Sequence, residues 1–198
     1  MILIYKFMTY YDNPEISDWQ RQIILGTVLG GSSLVKPKKG RNCYLFMRSA
    51  DKSWLKYKAE ELASFASQRP FTIEGNTLRW HSNCYPVFSD YYEKFYKDDK
   101  KVVTMDLLDS LRDIGFAIWY GDSGKLKSGQ VLLNTNKFGE EGTKIISDYF
   151  QQAGIGETVL TKERKYVRLV FSKQATEKFL LVTANRLPDF MHPELLPK

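Results

Sequence analysis

The sequence predicts an α+β fold built from two pseudo-symmetric halves, each running α-β-β-α-β-β-α. Two observations carry that prediction. The first is a pair of apolar runs with small residues at helical spacing. Residues 23–34 (IILGTVLGGSSL) carry Gly26 and Gly30. Residues 111–120 (LRDIGFAIWY), continuing into Gly121-Asp122-Ser123, carry Ala117 and Gly121. Positions four apart share one helical face, and small side chains there let two helix backbones approach closely. The second observation is that the order of helix and strand signals after the first run returns after the second. The polar stretch 97–101 (KDDKK) separates the copies, giving halves 1–100 and 101–198.

The elements follow in order. Residues 2–11 read as a short strand or an extended arm, ended by Asn13-Pro14. Ser17 is an N-cap, and Gln20 three residues on completes a capping box; the first small-faced helix runs from there to about Gly30. Residues 33–36 and 42–49 read as strands around a Pro-Lys-Lys-Gly turn. In the second of them Tyr44, Phe46 and Arg48 fall on one face and Cys43, Leu45 and Met47 on the other. Asp51 caps a helix to about Ala66, with Trp54, Leu55, Lys58, Leu62 and Phe65 at helical spacing. Residues 71–74 and 77–81 form a hairpin about Gly75-Asn76, and 86–96 a short aromatic helix. The second half gives strands at 125–127 and 130–134 and a helix at 139–153. A hairpin of 157–162 with 165–171 and a helix at 173–184 complete it. The segments LRW at 78–80 and VRL at 167–169 set Arg79 and Arg168 at equivalent positions.

Composition narrows the class of protein. With 43% hydrophobic and 14% aromatic residues the 198-residue chain can bury a substantial core, which argues against disorder. A net charge of +6, from 29 Lys+Arg against 23 Asp+Glu, suits a polyanionic partner. The two cysteines, Cys43 and Cys84, form no CxxC and no Cys/His cluster. That disfavours structural zinc and a disulfide framework, and points to a reducing intracellular setting. This means the cytoplasm or nucleoid, or an organelle for an organelle gene. No apolar run reaches ~18 residues, so no membrane partner is expected. The opening MILIYKFMTYYDN lacks the basic leader and small-residue cleavage site of a signal peptide.

Superposing the two small-faced helices puts Gly26 on Ala117, Gly30 on Gly121 and Gly31 on Asp122. Packed through their small faces, both helices end at one point on a pseudo-two-fold axis. Asp122 is thus a carboxylate delivered to the end of a buried helix, with Gly31 facing it.

The motif AIWYGDSGKL at 117–126, with the preceding FYKDDKKVVTMDLLDSLRDIGF at 95–116, resembles the LAGLIDADG homing endonuclease family. It is most similar to the branch whose second motif runs roughly "LAIWYMDDGS". The similarity extends from about Trp19 to about His192 and is most specific around 95–125. It implies a monomeric, intron-encoded nuclease in which the strand ribbons form one saddle over double-stranded DNA. It also implies a metal-binding acid at the end of each motif helix. Asp122 matches the second acid. The first is absent, and Gly31 stands there, able to offer only a backbone carbonyl.

The resemblance therefore implies Mg²⁺ or another divalent cation held by Asp122 and Gly31, with Lys101 as the basic residue beside the scissile phosphate and His192 as its weaker counterpart. Hard cations suit carboxylate, carbonyl and phosphate oxygens. A two-stranded ribbon fits the major groove. The candidate base-facing residues are Arg41, Tyr44, Phe46, Arg48, Arg79, His81, Lys125, Lys127, Asn134, Asn136, Arg164 and Arg168. Lys36, Lys38, Lys39, Lys162 and Lys165 are candidates for phosphates at turns. The register that decides which ribbon face meets DNA stays open. Three readings follow: a site-specific endonuclease with unequal strand cleavage; a catalytically impaired DNA-binding protein or an RNA-splicing maturase, whose partner is intron RNA; and an unrelated α+β protein with a fortuitous repeat.

Overall fold

The Ser17 hydroxyl accepts from the Gln20 amide at 3.1 Å, and the Gln20 side chain accepts from the Ser17 amide at 3.2 Å. This reciprocal pair satisfies two donors that a helix start leaves unpaired, and it launches α1 (Asp18–Gly30) as the capping box requires. The computed structural model describes residues 13–163 and 166–191; the segment 2–11 lies outside them. From Gln22 to Gly30 every residue of α1 is buried, so this helix is enclosed rather than amphipathic.

Its partner is α5 (Asp113–Ser123), with Ile114, Gly115 and Ala117 to Tyr120 buried. A methyl group on Gly26 would lie 2.9 Å from Ile118 Cβ and run into the carbonyl oxygen of Gly115. The atoms nearest Gly26 thus belong to Gly115 and Ile118, although Ala117, expected in that place, is fully buried. The run preceding α5 is not continuous helix. A short α4 (Met105–Asp109) comes first, and Arg112 is extended at the N-cap of α5. The buried Gln22 of α1 bridges the break. It donates to the Ser110 carbonyl at 2.9 Å and accepts from the Arg112 amide at 2.7 Å. Those backbone groups would otherwise be costly inside the fold.

Each half carries a four-stranded antiparallel sheet of the same topology. The first uses β1 (Ser33–Val35), β2 (Tyr44–Ser49), β3 (Ala66–Glu74) and β4 (Thr77–Ser82) in the order β1-β2-β4-β3. The hairpin strands β5 (Tyr96–Lys97) and β6 (Lys100–Lys101) occupy the stretch between the halves. The second sheet uses β7 (Gly124–Lys127), β8 (Gln130–Asn134), β9 (Thr158–Glu163) and β10 (Tyr166–Phe171) in the order β7-β8-β10-β9. Helix α2 (Lys52–Glu61), capped by Asp51, and α3 (Pro86–Phe95) pack on the first sheet. Helices α6 (Gly139–Gln152) and α7 (Lys173–Thr183) pack on the second. The sheets' inner faces join one buried cluster through α1 and α5, with Leu45, Met47, Leu78 and Trp80 from the first and Val131, Leu133, Leu169 and Phe171 from the second.

The polar stretch 97–101 is more than a spacer. Asp98 and Asp99 take positive φ of 50° and 57°, the geometry of a tight two-residue hairpin turn. The β5–β6 pairing then fixes Lys101 on a short strand beside α1. Cys43 and Cys84 are both free, and among the described residues no helix is long and apolar enough to cross a membrane.

The helix contact sets one expectation. In an open helix interior, Gly26→Ala would gain about 1 kcal/mol from propensity. Here the added methyl meets the backbone of α5, and overpacking costs about 1–3 kcal/mol. Gly26→Ala should therefore lower the urea midpoint, and Gly26→Leu should lower it further. A stabilised Gly26→Ala would mean that the two helices do not touch there.

Candidate active site and nucleic-acid interface

Strand register settles which side chains the two sheets present away from the core. In the first sheet Arg48 pairs with Arg79 and Phe46 with His81, while Leu45, Met47, Leu78 and Trp80 are buried. Tyr44, Arg48, Arg79 and His81 therefore share the outer face. In the second sheet Arg168 pairs with Asn134, and Lys125 and Lys127 pair with Leu132 and Gln130. Alternation places Lys125, Lys127, Asn134 and Arg168 on one face, opposite buried Leu133 and Leu169. Arg79 is salt-bridged to Glu74 and lies over the Phe46 ring. The candidate side chains of the two sheets thus fall on matching faces of two matching sheets.

The turn residues divide differently. Lys38, Lys39 and Arg41 are exposed in the β1–β2 connection. Lys36 is tied to α3, 3.5 Å from Glu93 and 4.1 Å over the Tyr92 ring. Lys162 is salt-bridged to Glu140 of α6. Arg164, Lys165 and His192 lie outside the described residues.

Between the sheets, where α1 and α5 end, is a cleft of about 390 Å³ whose lining includes Gly30, Gly31, Arg48, Trp54, Asp122 and Lys137. Asp122 sits in the last turn of α5 against Gly30, whose missing side chain makes room for it; a methyl on Gly30 would strike Asp122 Cβ. Only 10% of the Asp122 side chain is exposed. Its Oδ1 accepts from Trp54 Nε1 at 2.5 Å and from Lys58 Nζ at 2.5 Å, both supplied by α2. Its Oδ2 is buried with no hydrogen-bond partner.

Gly31 is not simply the same site without a carboxylate. Its φ of 157° with ψ of −15° is a backbone state that side chains disfavour. A Cβ there would lie 3.1 Å from Lys137 Nζ, so the position is shaped for glycine. The Gly31 carbonyl, expected to face a cation, instead accepts from the Lys137 ammonium at 2.6 Å. Lys101 reaches the same helix end from β6, donating to the carbonyls of Val28 and Ser32 at 2.7 Å each. Two ammonium groups thereby satisfy carbonyls that the C-terminus of α1 leaves open, where the helix dipole favours positive charge. Burial, and then Lys137 nearby, push the Lys101 amine down to about 7, against an opposing pull from Asp122. Burial also lowers Lys137; Asp122 opposes this and Arg48 adds to it.

Trp54, Lys58 and Lys137 are absent from the residues that the sequence nominates for the centre. One signal was available. Lys58 occupies an apolar position in the α2 pattern, between Leu55 and Leu62, and a lysine there must find a charge partner. Nothing local in the sequence names that partner, because Asp122 lies 64 residues away.

The donor set decides what the centre can hold. Among the described residues there is no group of three or more His, Cys, Asp and Glu side chains fit for a metal. An all-protein cage is therefore absent there. A single orphaned carboxylate oxygen, Asp122 Oδ2, fits the binding mode of Mg²⁺, which takes one or two carboxylates and completes its shell with water and substrate phosphate oxygens. The residues fit one such cation at Asp122, with no matching carboxylate at Gly31.

Comparison with known proteins agrees with this fold. The sequence profile of the LAGLIDADG DNA endonuclease family matches residues 21–179. Among curated proteins, the protein RecA of Mycolicibacterium flavescens is 25% identical over 93% of this chain and 48% of its own length. That of Mycolicibacterium fallax is 26% identical over 92% and 47%. The chain thus spans about half the length of these curated relatives. Among solved structures, the homing endonuclease I-WcaI bound to its DNA recognition sequence superposes with a TM-score of 0.85 at 19% identity, covering 94% of this chain and 89% of that one. I-DmoI in complex with DNA and Mn gives 0.55 at 13% identity, covering 83% and 96%. Full-length DUF199/WhiA from Thermatoga maritima gives 0.58 at 12%, covering 90% and 59%.

The position of Lys101 predicts a pH dependence of stability. Its amine titrates near 7 when folded, against an ordinary value of 10.5. Between those values the unfolded chain binds more protons, so Lys101 adds stability as pH rises through that window and loses it as pH falls through 7. The difference in urea midpoint between the protein and Lys101→Met should therefore change between pH 7 and pH 9, in favour of the lysine at the higher pH. A difference independent of pH would show that Lys101 keeps its ordinary titration.

Proposed function

The chain belongs to the LAGLIDADG DNA endonuclease family, and from that premise we propose that it is a site-specific endonuclease of the homing type, acting on a long duplex target with strongly unequal cleavage of the two strands. The observation that carries this reading is one buried carboxylate, Asp122, at the junction of two sheets whose outer faces bear Arg48, Arg79, Lys125, Lys127 and Arg168. The two faces would lie against duplex DNA, with side chains at base edges, and Lys38 and Lys39 would meet phosphates at the turn. That the I-WcaI structure, of the same fold, is a complex with its DNA recognition sequence supports this placement.

At the centre, Asp122 Oδ2 would hold a divalent cation, Mg²⁺ by chemical preference, against the scissile phosphate. When bound, such an ion polarises the phosphoryl group and stabilises charge on the leaving oxygen. Trp54 and Lys58 fix the carboxylate through Oδ1, leaving Oδ2 toward the ion. Lys137 and Lys101 keep positive charge beside the reacting phosphate, where negative charge grows. The strand served by Gly31 has no such acid, so nicked duplex should accumulate.

A second reading, recognition of DNA without cleavage, is favoured by one specific observation: Asp122 already bears the Lys58 ammonium, and Gly31 cannot share the load. Strand-specific cleavage of an end-labelled target with Mg²⁺ separates the two. On the first reading one strand is cut faster. Asp122→Asn should lower that rate by on the order of a hundredfold or more and, in protein that circular dichroism shows to be folded, leave DNA binding in place, because the amide oxygen still accepts from Trp54 and Lys58 even though it no longer balances the Lys58 charge. Equal rates on both strands would show that something other than a side chain at Gly31 completes the site, and full activity in Asp122→Asn would remove Asp122 from the chemistry. No cleavage by a protein that binds the target tightly would establish the second reading.

Binding itself should be steeply salt-dependent, with log affinity falling by about 0.9 per neutralised phosphate for each unit of log salt. Replacing Lys38 and Lys39 with Ala should reduce that slope by roughly 2 and leave the preferred sequence unchanged. Affinity that does not respond to salt would argue against the saddle.

A further inference from the structure

Lys58 is 2% exposed, and its ammonium lies 2.5 Å from Asp122 Oδ1. It comes from α2 of the first half, yet its partner is the acid of the second half. A lysine at a core position needs a paired charge to be tolerated. Lys58 and Trp54 both use Oδ1, which leaves Oδ2 buried and unpartnered. The acid is therefore held in place and electrically balanced through Oδ1, while Oδ2, buried beside Gly30, is left without a hydrogen-bond partner.

We propose that Lys58 is a positioning residue that serves as the internal counter-ion of Asp122 and sets the metal capacity of the centre. The DNA-free protein holds no divalent cation there, and an ion enters only with a phosphate that brings the balancing charge. The inference rests on the reading of Asp122 as the metal-holding acid. The Lys58–Asp122 pair carries no net charge; of the other charged groups lining the cleft, Arg48 and Lys137 are cationic and Asp51, the cap of α2, is anionic. A divalent cation on Oδ2 of the free protein would sit next to an ammonium in a poorly solvated pocket, where repulsion is strong. A DNA phosphate changes that balance and supplies the oxygen ligands that Mg²⁺ prefers. The arrangement also limits Asp122 to one-oxygen coordination, because Oδ1 is committed to α2.

Mn²⁺ titration of the DNA-free protein, followed by electron paramagnetic resonance, tests this without reference to cleavage. The unaltered protein and Asp122→Asn should give the same curve, with no saturable site. Lys58→Met should gain one site, at least about tenfold tighter than any binding by the unaltered protein, and Lys58→Met/Asp122→Asn should lose it again. A merely structural role for Lys58 would not create a site that depends on Asp122. Should Lys58→Met fail to fold, as judged by circular dichroism, Lys58→Gln keeps a donor without the charge and carries the same expectation. A saturable site in the unaltered protein that Asp122→Asn removes would overturn the proposal. So would a folded Lys58 variant that gains nothing. Failure of cleavage with DNA bears on the nuclease reading alone, since Mn²⁺ occupancy is read without substrate.

Discussion

Two helix backbones meet where Gly26 lies against the Gly115 carbonyl and Gly30 lies against Asp122, and the rest of the molecule is arranged by that contact. Side chains at either glycine would force the helices apart. Because α1 and α5 each lead directly into the sheet of their half, their separation fixes the distance between the sheets. Their lengths fix where the two helix C-termini arrive. The contact therefore does more than fill a core: it brings Gly31 and Asp122 into one cleft and turns the two outer sheet faces into one surface. Gln22 protects the arrangement from the other end by satisfying the backbone break between α4 and α5.

The centre built at that junction is asymmetric in charge. A symmetric pair of carboxylates would demand external cations. Here one buried carboxylate, Asp122, stands at the helix ends, and the ammonium groups of Lys58, Lys101 and Lys137 surround them. Lys58 balances Asp122, while Lys101 and Lys137 terminate α1 by binding its open carbonyls. The glycine at position 31 thus comes with a backbone state suited to it and with a lysine on its carbonyl. Replacing the side chain alone would not rebuild the lost half of the site.

The division between fold and chemistry explains how far each line of argument reaches. A TM-score of 0.85 at 19% identity shows that the backbone plan survives wide sequence change. What a particular member does at its centre depends on a handful of side chains, here those of Asp122, Trp54, Lys58, Lys101 and Lys137.

From the sequence alone, the duplicated spacing of Gly26, Gly30, Ala117 and Gly121 was enough to predict paired helices, because small residues four apart leave few other ways to bury such a face. Pattern was likewise enough to locate the eight strands of the two sheets, though not β5 and β6 or the start of β3 at Ala66, and the capping box at Ser17 and Gln20 is entirely local. Asp122 and the absence of an acid at Gly31 were readable from the alignment of the two copies. Three matters were left to the tertiary structure. The sheet face carrying Arg48, Arg79, Asn134 and Arg168 depended on pairing register, which long-range burial fixes. The break before α5 depended on Gln22, distant in sequence. The partner of Lys58 depended on α2 of one half reaching across to α5 of the other. The pattern could show that Lys58 needed a charge, but only folding brings together groups 64 residues apart and decides which charge it meets.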